Sequence, residues 1–292
     1  MKCKKFTITP YLFIAPHLVF FITFLIIPTI IGIWISFHHW DYLTPSTFVG
    51  FENYISLLTP GTINHRNFMR GMTATFIFVL LTVPINIVLS LIIAAMLNHL
   101  KFFKNFFRMI FYIPVVMSVT VVTIAWTFMA SREVGLINQF LAVFNVEPIP
   151  WLVRQPHTWI ILAMTTIWWM LGRNILYYVA GLTDISPDQY ESASLDGANG
   201  IQKFFYITIP NLKRTILFVA VIETIAQFNI FGQPNIMTEG GPAASTRVAL
   251  MVIRETAFSE FRMGMASAMS VLLGLVIIVF SAFQFRLFMS KD

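Results

Sequence analysis

The length of the apolar stretches most constrains what this chain can fold into. Six of them run for about 20 residues or more with almost no charge inside. A helix needs ~20 such residues to cross the ~30 Å hydrocarbon core of a bilayer at 1.5 Å per residue. They read as spans over about 11–37, 73–97, 109–129, 158–182, 212–231 and 263–289. A membrane barrel would instead show ~10-residue strands alternating apolar and polar residues. Only 11% of the residues are charged, against roughly 25% in a soluble domain. The expected fold is an all-α integral membrane protein, a single transmembrane domain over residues 1–292. Pro16 and Pro28 predict kinks in the first span. Its basic start resembles a signal peptide, but the apolar run to Phe37 is too long for a cleaved one and reads as a retained span. The single cysteine, Cys3, excludes an internal disulfide and a cysteine-rich metal site.

The net charge of +6 is explained by where the charges sit, without nucleic acid. With the amino end inside, all eight lysines (2, 4, 5, 101, 104, 203, 213 and 291) fall in inner segments, joined by Arg108, Arg214 and Arg286. Seven arginines (66, 70, 132, 154, 247, 254 and 262) lie outside, among compensating acids such as Asp41, Glu133 and Glu255. Excess positive charge marks the cytoplasmic side, so both chain ends are expected in the cytoplasm. Residues 44–70, 131–157 and 233–262 then form outer segments. Within the last, Val248–Phe261 reads either as a helix on the outer interface or as a loop with one helical turn.

The one long polar interruption, Asp184–Pro210, falls inside. It carries four carboxylates (Asp184, Asp188, Glu191 and Asp196), Lys203, two glycines and two prolines. Ser186 can cap a helix whose first residue is Pro187, and Gln189 can complete a capping box. Asp188 and Glu191 favour the positive end of that helix. The helix would run to about Leu195, with Gly197 and Gly200 turning it and a second short helix over Ile201–Ile207. Ser192, Ala193, Gly197 and Ala198 leave a surface of little bulk, suited to close approach by another protein. The same features also suit an ordinary amphipathic loop.

Spacing adds specificity. Glu191-Ser192-Ala193, three residues, Gly197, nine residues, then Ile207-Thr208-Ile209-Pro210 resembles the EAA motif of ABC importer permeases. Ser192 stands for an alanine and Ile209 for a leucine, and Asp196-Gly197-Ala198 matches the usual extension. Thr238-Glu239-Gly240-Gly241-Pro242 with Ser245-Thr246 is similar to a segment of sugar permeases of the maltose and glycerol-3-phosphate type. So are Pro10-Tyr11-Leu12 with Ala15-Pro16, Val49–Tyr54 and Gly264–Ala268. The resemblance covers almost the whole chain. It implies a six-helix, maltose-permease-like subunit of a type I importer. In that family Glu191, Ser192, Ala193, Asp196, Gly197 and Ala198 would form the coupling helix that docks on a cytoplasmic ATPase. It further implies a second related permease, two ATPase subunits that use the ATP, an external solute-binding protein and surrounding lipid as partners.

The chain holds no G-x-x-x-x-G-K-[ST] phosphate loop, no metal-site spacing and no nucleophile-elbow context. It is expected to bind no cofactor or metal and to catalyse no reaction. Away from the span ends, the charges inside spans are Arg173 and Glu223. A charge there costs about 2.5–3.5 kcal/mol on insertion scales and usually faces protein or water. Arg173 lies about 13 Å from the inner end of its span and Glu223 about 16 Å from the inner end of its own, at ~1.5 Å per residue. They are expected to pair or to bracket one cavity. Gln227 shares the face of Glu223, Asn229 extends the polar character outward, and Trp168, Trp169, Tyr177 and Tyr178 add aromatic surface. Arg173, Tyr177, Glu223, Gln227 and Asn229 are therefore the expected substrate path, suited to a sugar, with an anionic sugar derivative as the alternative. Gly264, Ala268 and Gly274 are expected to mark close helix packing, and His17 is expected to be packed or interfacial. An autonomous secondary transporter would show an internal repeat and further carboxylates in its spans, and neither is evident.

Overall fold

The computed structural model describes residues 9–41, 43–100 and 102–289. The expectations resting on Lys2, Cys3, Lys4, Lys5, Lys101 and Lys291 lie outside these residues. The chain divides into two compact units, Met1–Arg66 with Ile253–Leu272, and Asn67–Val252 with Leu273–Asp292.

In the first unit, Leu12–Ser36 is long and apolar enough to cross a membrane. The expected kinks are absorbed differently. Pro16 sits inside the Thr9–Phe21 helix, and a π turn over Ile22–Ile26 precedes Pro28. There the Ile27 N–H reaches back to the Ile22 carbonyl. A proline two residues on lacks an N–H and crowds the carbonyl four residues before it, and the widened turn accommodates both defects. His17 stacks on Phe21, with ring centroids 6.0 Å apart. The segment expected outside, 44–70, is more ordered than expected. His38–His39 pairs antiparallel with Thr47–Phe48, and Glu52–Leu58 is a helix. Asn53 donates to the carbonyls of Ser36 (2.9 Å) and His38 (3.1 Å), which satisfies groups that the ended helix leaves open. Gly264 lies against the His38 carbonyl, where a Cβ would sit 1.8 Å from the oxygen. Its small size thus serves a loop contact rather than a helix pair. Ala268 is fully buried, whereas a Cβ built at Gly274 meets no atom of another element within 4 Å among the described residues.

The other crossing helices fall wholly or largely in the second unit, with the first turn of Ile63–His99 and residues 263–272 of Met263–Met289 in the first. Ile63–His99 starts ten residues before the expected span. His157–Thr183 and Met263–Met289 match their expected bounds to within one residue. The fifth span is Lys213–Phe228, continued by Gly232–Met237. The third expected span, 109–129, is two helices, Lys104–Val116 and Val119–Met129, bent by 98°. Pro114 removes a backbone N–H near the break. Met117 is extended, and Ser118 starts the next helix by accepting from Val121 N–H at 3.4 Å. The His157–Thr183 helix holds the break: Trp169 Nε1 donates to the Met117 carbonyl at 3.2 Å. Gly172 lets the Phe111 carbonyl approach to where a Cβ would be 2.0 Å away.

The expected outer loop 131–157 contains the helix Leu136–Ala142. Buried Asn138 organises it, donating to Ile149 O at 3.0 Å and accepting from Ile149 N at 3.1 Å and Trp151 Nε1 at 3.0 Å. Val248–Phe261 resolves to a helix, Ala249–Phe258. One face of it is packed inward, while Arg254 and Phe258 stay exposed. Ala249 and Val252 are buried, and the Ala249 N–H donates to Thr75 Oγ1 at 2.9 Å.

Candidate functional site

Three spans of the second unit converge on one carboxylate. Glu223, from Lys213–Phe228, is 0% exposed. Its Oε1 accepts from Asn86 Nδ2 at 2.9 Å and Gln227 Nε2 at 2.7 Å. Its Oε2 accepts from Arg173 Nη2 at 2.8 Å and Asn174 Nδ2 at 3.1 Å. Four donors fill the acceptor sites of an ionised carboxylate, and the single guanidinium balances its charge. The three amides all turn their NH₂ groups to Glu223, leaving Asn86 Oδ1, Asn174 Oδ1 and Gln227 Oε1 buried without a partner. Coordination of the negative charge has set their orientation.

The structure thus joins Arg173, Glu223 and Gln227. Sequence reasoning missed Asn86 and Asn174. An uncharged amide inside an apolar run gives a weak signal, although the depth of Asn86 and the adjacency of Asn174 to Arg173 both pointed here. The other expected path residues lie apart. Tyr177 packs edge-on against Phe218 with centroids 5.2 Å apart. Asn229 ends the Lys213–Phe228 helix, and its Nδ2 donates to the Ile225 carbonyl at 2.8 Å. Arg173 keeps 26% of its side chain exposed. Tyr178 is wholly buried, and Trp168 meets Trp126 at 5.8 Å. This tryptophan pair borders an apolar groove of about 530 Å³ that also takes in Leu81, Ile85, Trp159 and Met164.

The polar stretch builds a second feature. Pro187–Leu195 is a helix with no buried residue. Ser186 caps it, but on the Asp188 N–H at 3.3 Å, and Gln189 does not close a capping box. Gln189 instead accepts from Asn211 Nδ2 at 2.9 Å. The capping box occurs one helix later, between Asn199 and Gln202. The helix ends in a Schellman turn: Ala198 N–H bonds the Ala193 carbonyl (2.8 Å) and Gly197 N–H the Ser194 carbonyl (3.1 Å). Gly197 takes φ +79° there, the left-handed conformation that this turn favours in glycine. Glu191, Ser192, Asp196 and Gly197 are exposed, with Ala193 and Ala198 half-buried. A π turn over Phe204–Thr208 then precedes Pro210, repeating the device before Pro28.

Side chains tie this helix to the segment that leads into the fifth span. Tyr190 Oη and Thr208 Oγ1 lie 2.9 Å apart, and Lys203 Nζ donates to Ser194 Oγ at 2.6 Å. Behind the helix is a cleft of about 550 Å³ bordered by Asn98, His99, Leu182, Tyr190, Glu191 and Lys203. The Thr238–Thr246 segment is a self-bonded turn. Thr246 Oγ1 lies 2.8 Å from Thr238 Oγ1 and donates to the Gly241 carbonyl at 2.6 Å, while Ser245 Oγ accepts from Gln155 Nε2 at 2.7 Å. The threonines and glycines of that motif therefore scaffold the turn.

This chain is similar to several transporter subunits. It is 31% identical to the probable ABC transporter permease protein YurN of Bacillus subtilis, over 96% of each chain. It is 30% identical to the arabinooligosaccharides transport system permease protein AraP of Halalkalibacterium halodurans, covering 96% of this chain and 87% of that one. Identity is again 30% to the sn-glycerol-3-phosphate transport system permease protein UgpA of Rhizobium meliloti, covering 96% and 94%. In fold it matches a chain of a bacterial ABC transporter that imports the acidic polysaccharide alginate, with TM-score 0.83, 22% identity and 97% and 96% coverage. That transporter also appears in complex with an alginate pentasaccharide-bound periplasmic protein, and the match there has TM-score 0.80, 22% identity and 94% and 92% coverage. Residues 87–289 match the family model described as the binding-protein-dependent transport system inner membrane component. With its multiple crossing helices and a motif-bearing helix between the fourth and fifth, the chain belongs to that family of ABC importer permeases.

Proposed function

We propose that the chain is one of two permease subunits of an ATP-driven importer for an oligosaccharide. The observation that carries this reading is the exposed Pro187–Leu195 helix, closed at Gly197 and tied through Tyr190 and Thr208 to the π turn that leads into the fifth span. An exposed helix with small residues at Ala193, Gly197 and Ala198 suits docking on a cytoplasmic ATPase. Glu191, Ser192, Ala193, Asp196, Gly197 and Ala198 form the docking face. Two ATPase subunits hydrolyse ATP, and this subunit catalyses nothing and holds no cofactor. The chain spans the cytoplasmic membrane with both ends inside, in keeping with its lysine distribution. An external binding protein delivers the sugar, as the periplasmic protein accompanies the alginate transporter.

Movement of the docked helix is passed to the fourth and fifth spans, which share the Arg173–Glu223 pair. ATP binding then shifts the balance between outward and inward states that differ in sugar affinity. Of the path residues, Glu223 and Gln227 anchor the spans. The partly exposed Arg173 lines the route, while Tyr177 and Asn229 turn to Phe218 and to the Ile225 carbonyl. An anionic sugar derivative is the second reading, favoured by Arg173 and by the likeness to UgpA. Occupation of Arg173 by Glu223 weighs against it. Uptake by the full complex, competed by a panel of neutral oligosaccharides and phosphorylated sugars, tests both. Competition by a neutral oligosaccharide supports the first reading and competition by phosphorylated sugars alone the second. Transport by this chain in the absence of any ATPase overturns both.

A further inference from the structure

The turn between the second and third spans carries charge and aromatic surface that the transport reading does not use. Phe102 and Phe103 are 79% and 74% exposed, and Phe106 and Phe107 also stand outside the core. Phe103 takes the left-handed backbone, φ 60°, which turns the chain sharply into the Lys104–Val116 helix. Lys104 and Arg108 follow one helical turn apart and so share a face. Lys104 Nζ is held by Asn98 Oδ1 at 2.9 Å, leaving further donors free. Arg108 lies about 6 Å deeper along the axis, and its Nε is enclosed without an acceptor.

Among the described residues, no carboxylate pairs with either cation. The local sequence offers none, with no Asp or Glu between Glu52 and Glu133. A partly enclosed guanidinium without a counter-ion favours an anion supplied from outside the chain. The pair stands at the end of a membrane-crossing segment beside exposed phenylalanines, a place reached by lipid headgroups. Basic pockets between crossing helices suit anionic headgroups, while exposed apolar rings enter the headgroup and acyl boundary.

We propose that Lys104 and Arg108 form a binding site for the phosphate of an acidic phospholipid, with Phe102, Phe103 and Phe106 seated against its acyl chains. The site is independent of what the complex carries, because its readout is lipid retention rather than transport. The test uses the complete permease complex in detergent, exposed to equal amounts of phosphatidylglycerol and phosphatidylcholine, with bound lipids counted by native mass spectrometry. Phosphatidylglycerol is expected to be retained about 30-fold better, the ratio that two basic side chains at a membrane surface supply. K104Q/R108Q should abolish the preference, and K104R/R108K should keep it. If the neutral variant fails to assemble, a photoactivatable phosphatidylglycerol on the unmodified complex decides, with crosslinks expected in residues 98–113. Equal retention of both lipids, an undiminished preference in K104Q/R108Q, or crosslinks confined to other segments would overturn the proposal.

Discussion

The Glu223 cluster and the Pro187–Leu195 helix treat charge in opposite ways. Glu223 is fully buried and takes four N–H donors from three helices. Glu191 is exposed, on a helix with no buried residue, at the rim of the cleft behind it. The first carboxylate is fully partnered within the chain, and the second presents its charge to whatever docks. A charge completed internally holds a structure together, while a charge left open near a backbone turn serves a partner. Substitutions in the two regions should therefore move different observables.

The largest effect is expected from Arg173→Ala, which strands the buried Glu223 charge. Breaking one side of such a pair costs about 3–5 kcal/mol. Thermal unfolding of the purified complex should show a large drop in Tm, and Arg173→Ala, Glu223→Ala together should recover part of it. An unchanged Tm in the single variant would remove the cluster from the structural core. Asn86→Ala should cost less, about 1–3 kcal/mol, because it removes one hydrogen bond to a charged acceptor. Gly197→Ala should cost about 1 kcal/mol through its positive φ, with the loss confined to the turn. The smallest effect on Tm, none measurable, is expected for Glu191→Gln, yet its ATPase stimulation should fall. A Tm loss there matching that of Asn86→Ala would erase the contrast between the two regions.

The same contrast explains what could be read beforehand. Spans were legible because length and apolarity are local properties, and the sixth was matched residue for residue. The break at Met117 was not, because Trp169 and Gly172 on another helix stabilise it. The early turns of Ile63–His99 were hidden by Asn64, His65 and Arg66, which resemble loop composition. Pro28 was legible as a perturbation, while its accommodation, like that of Pro210, by a π turn depends on the register of preceding carbonyls. At the site, Arg173, Glu223 and Gln227 were found from depth and spacing. Asn86 and Asn174 carry no charge, and their role appears only when three helices meet. Tyr177 and Asn229 share those spans, but their side chains are directed to Phe218 and to the Ile225 carbonyl. The exposed helix could be located by motif spacing, although Gln189 turned out to serve Asn211 rather than a cap.

ATPase stimulation by sugar-loaded binding protein, measured on the reconstituted complex, tests most directly the claim that the helix closed at Gly197 couples this permease to its ATPases. Gly197→Ala should leave the complex assembled and abolish stimulation, while Asn86→Ala should lower Tm and retain it. Full stimulation in an assembled Gly197→Ala complex would contradict the claim.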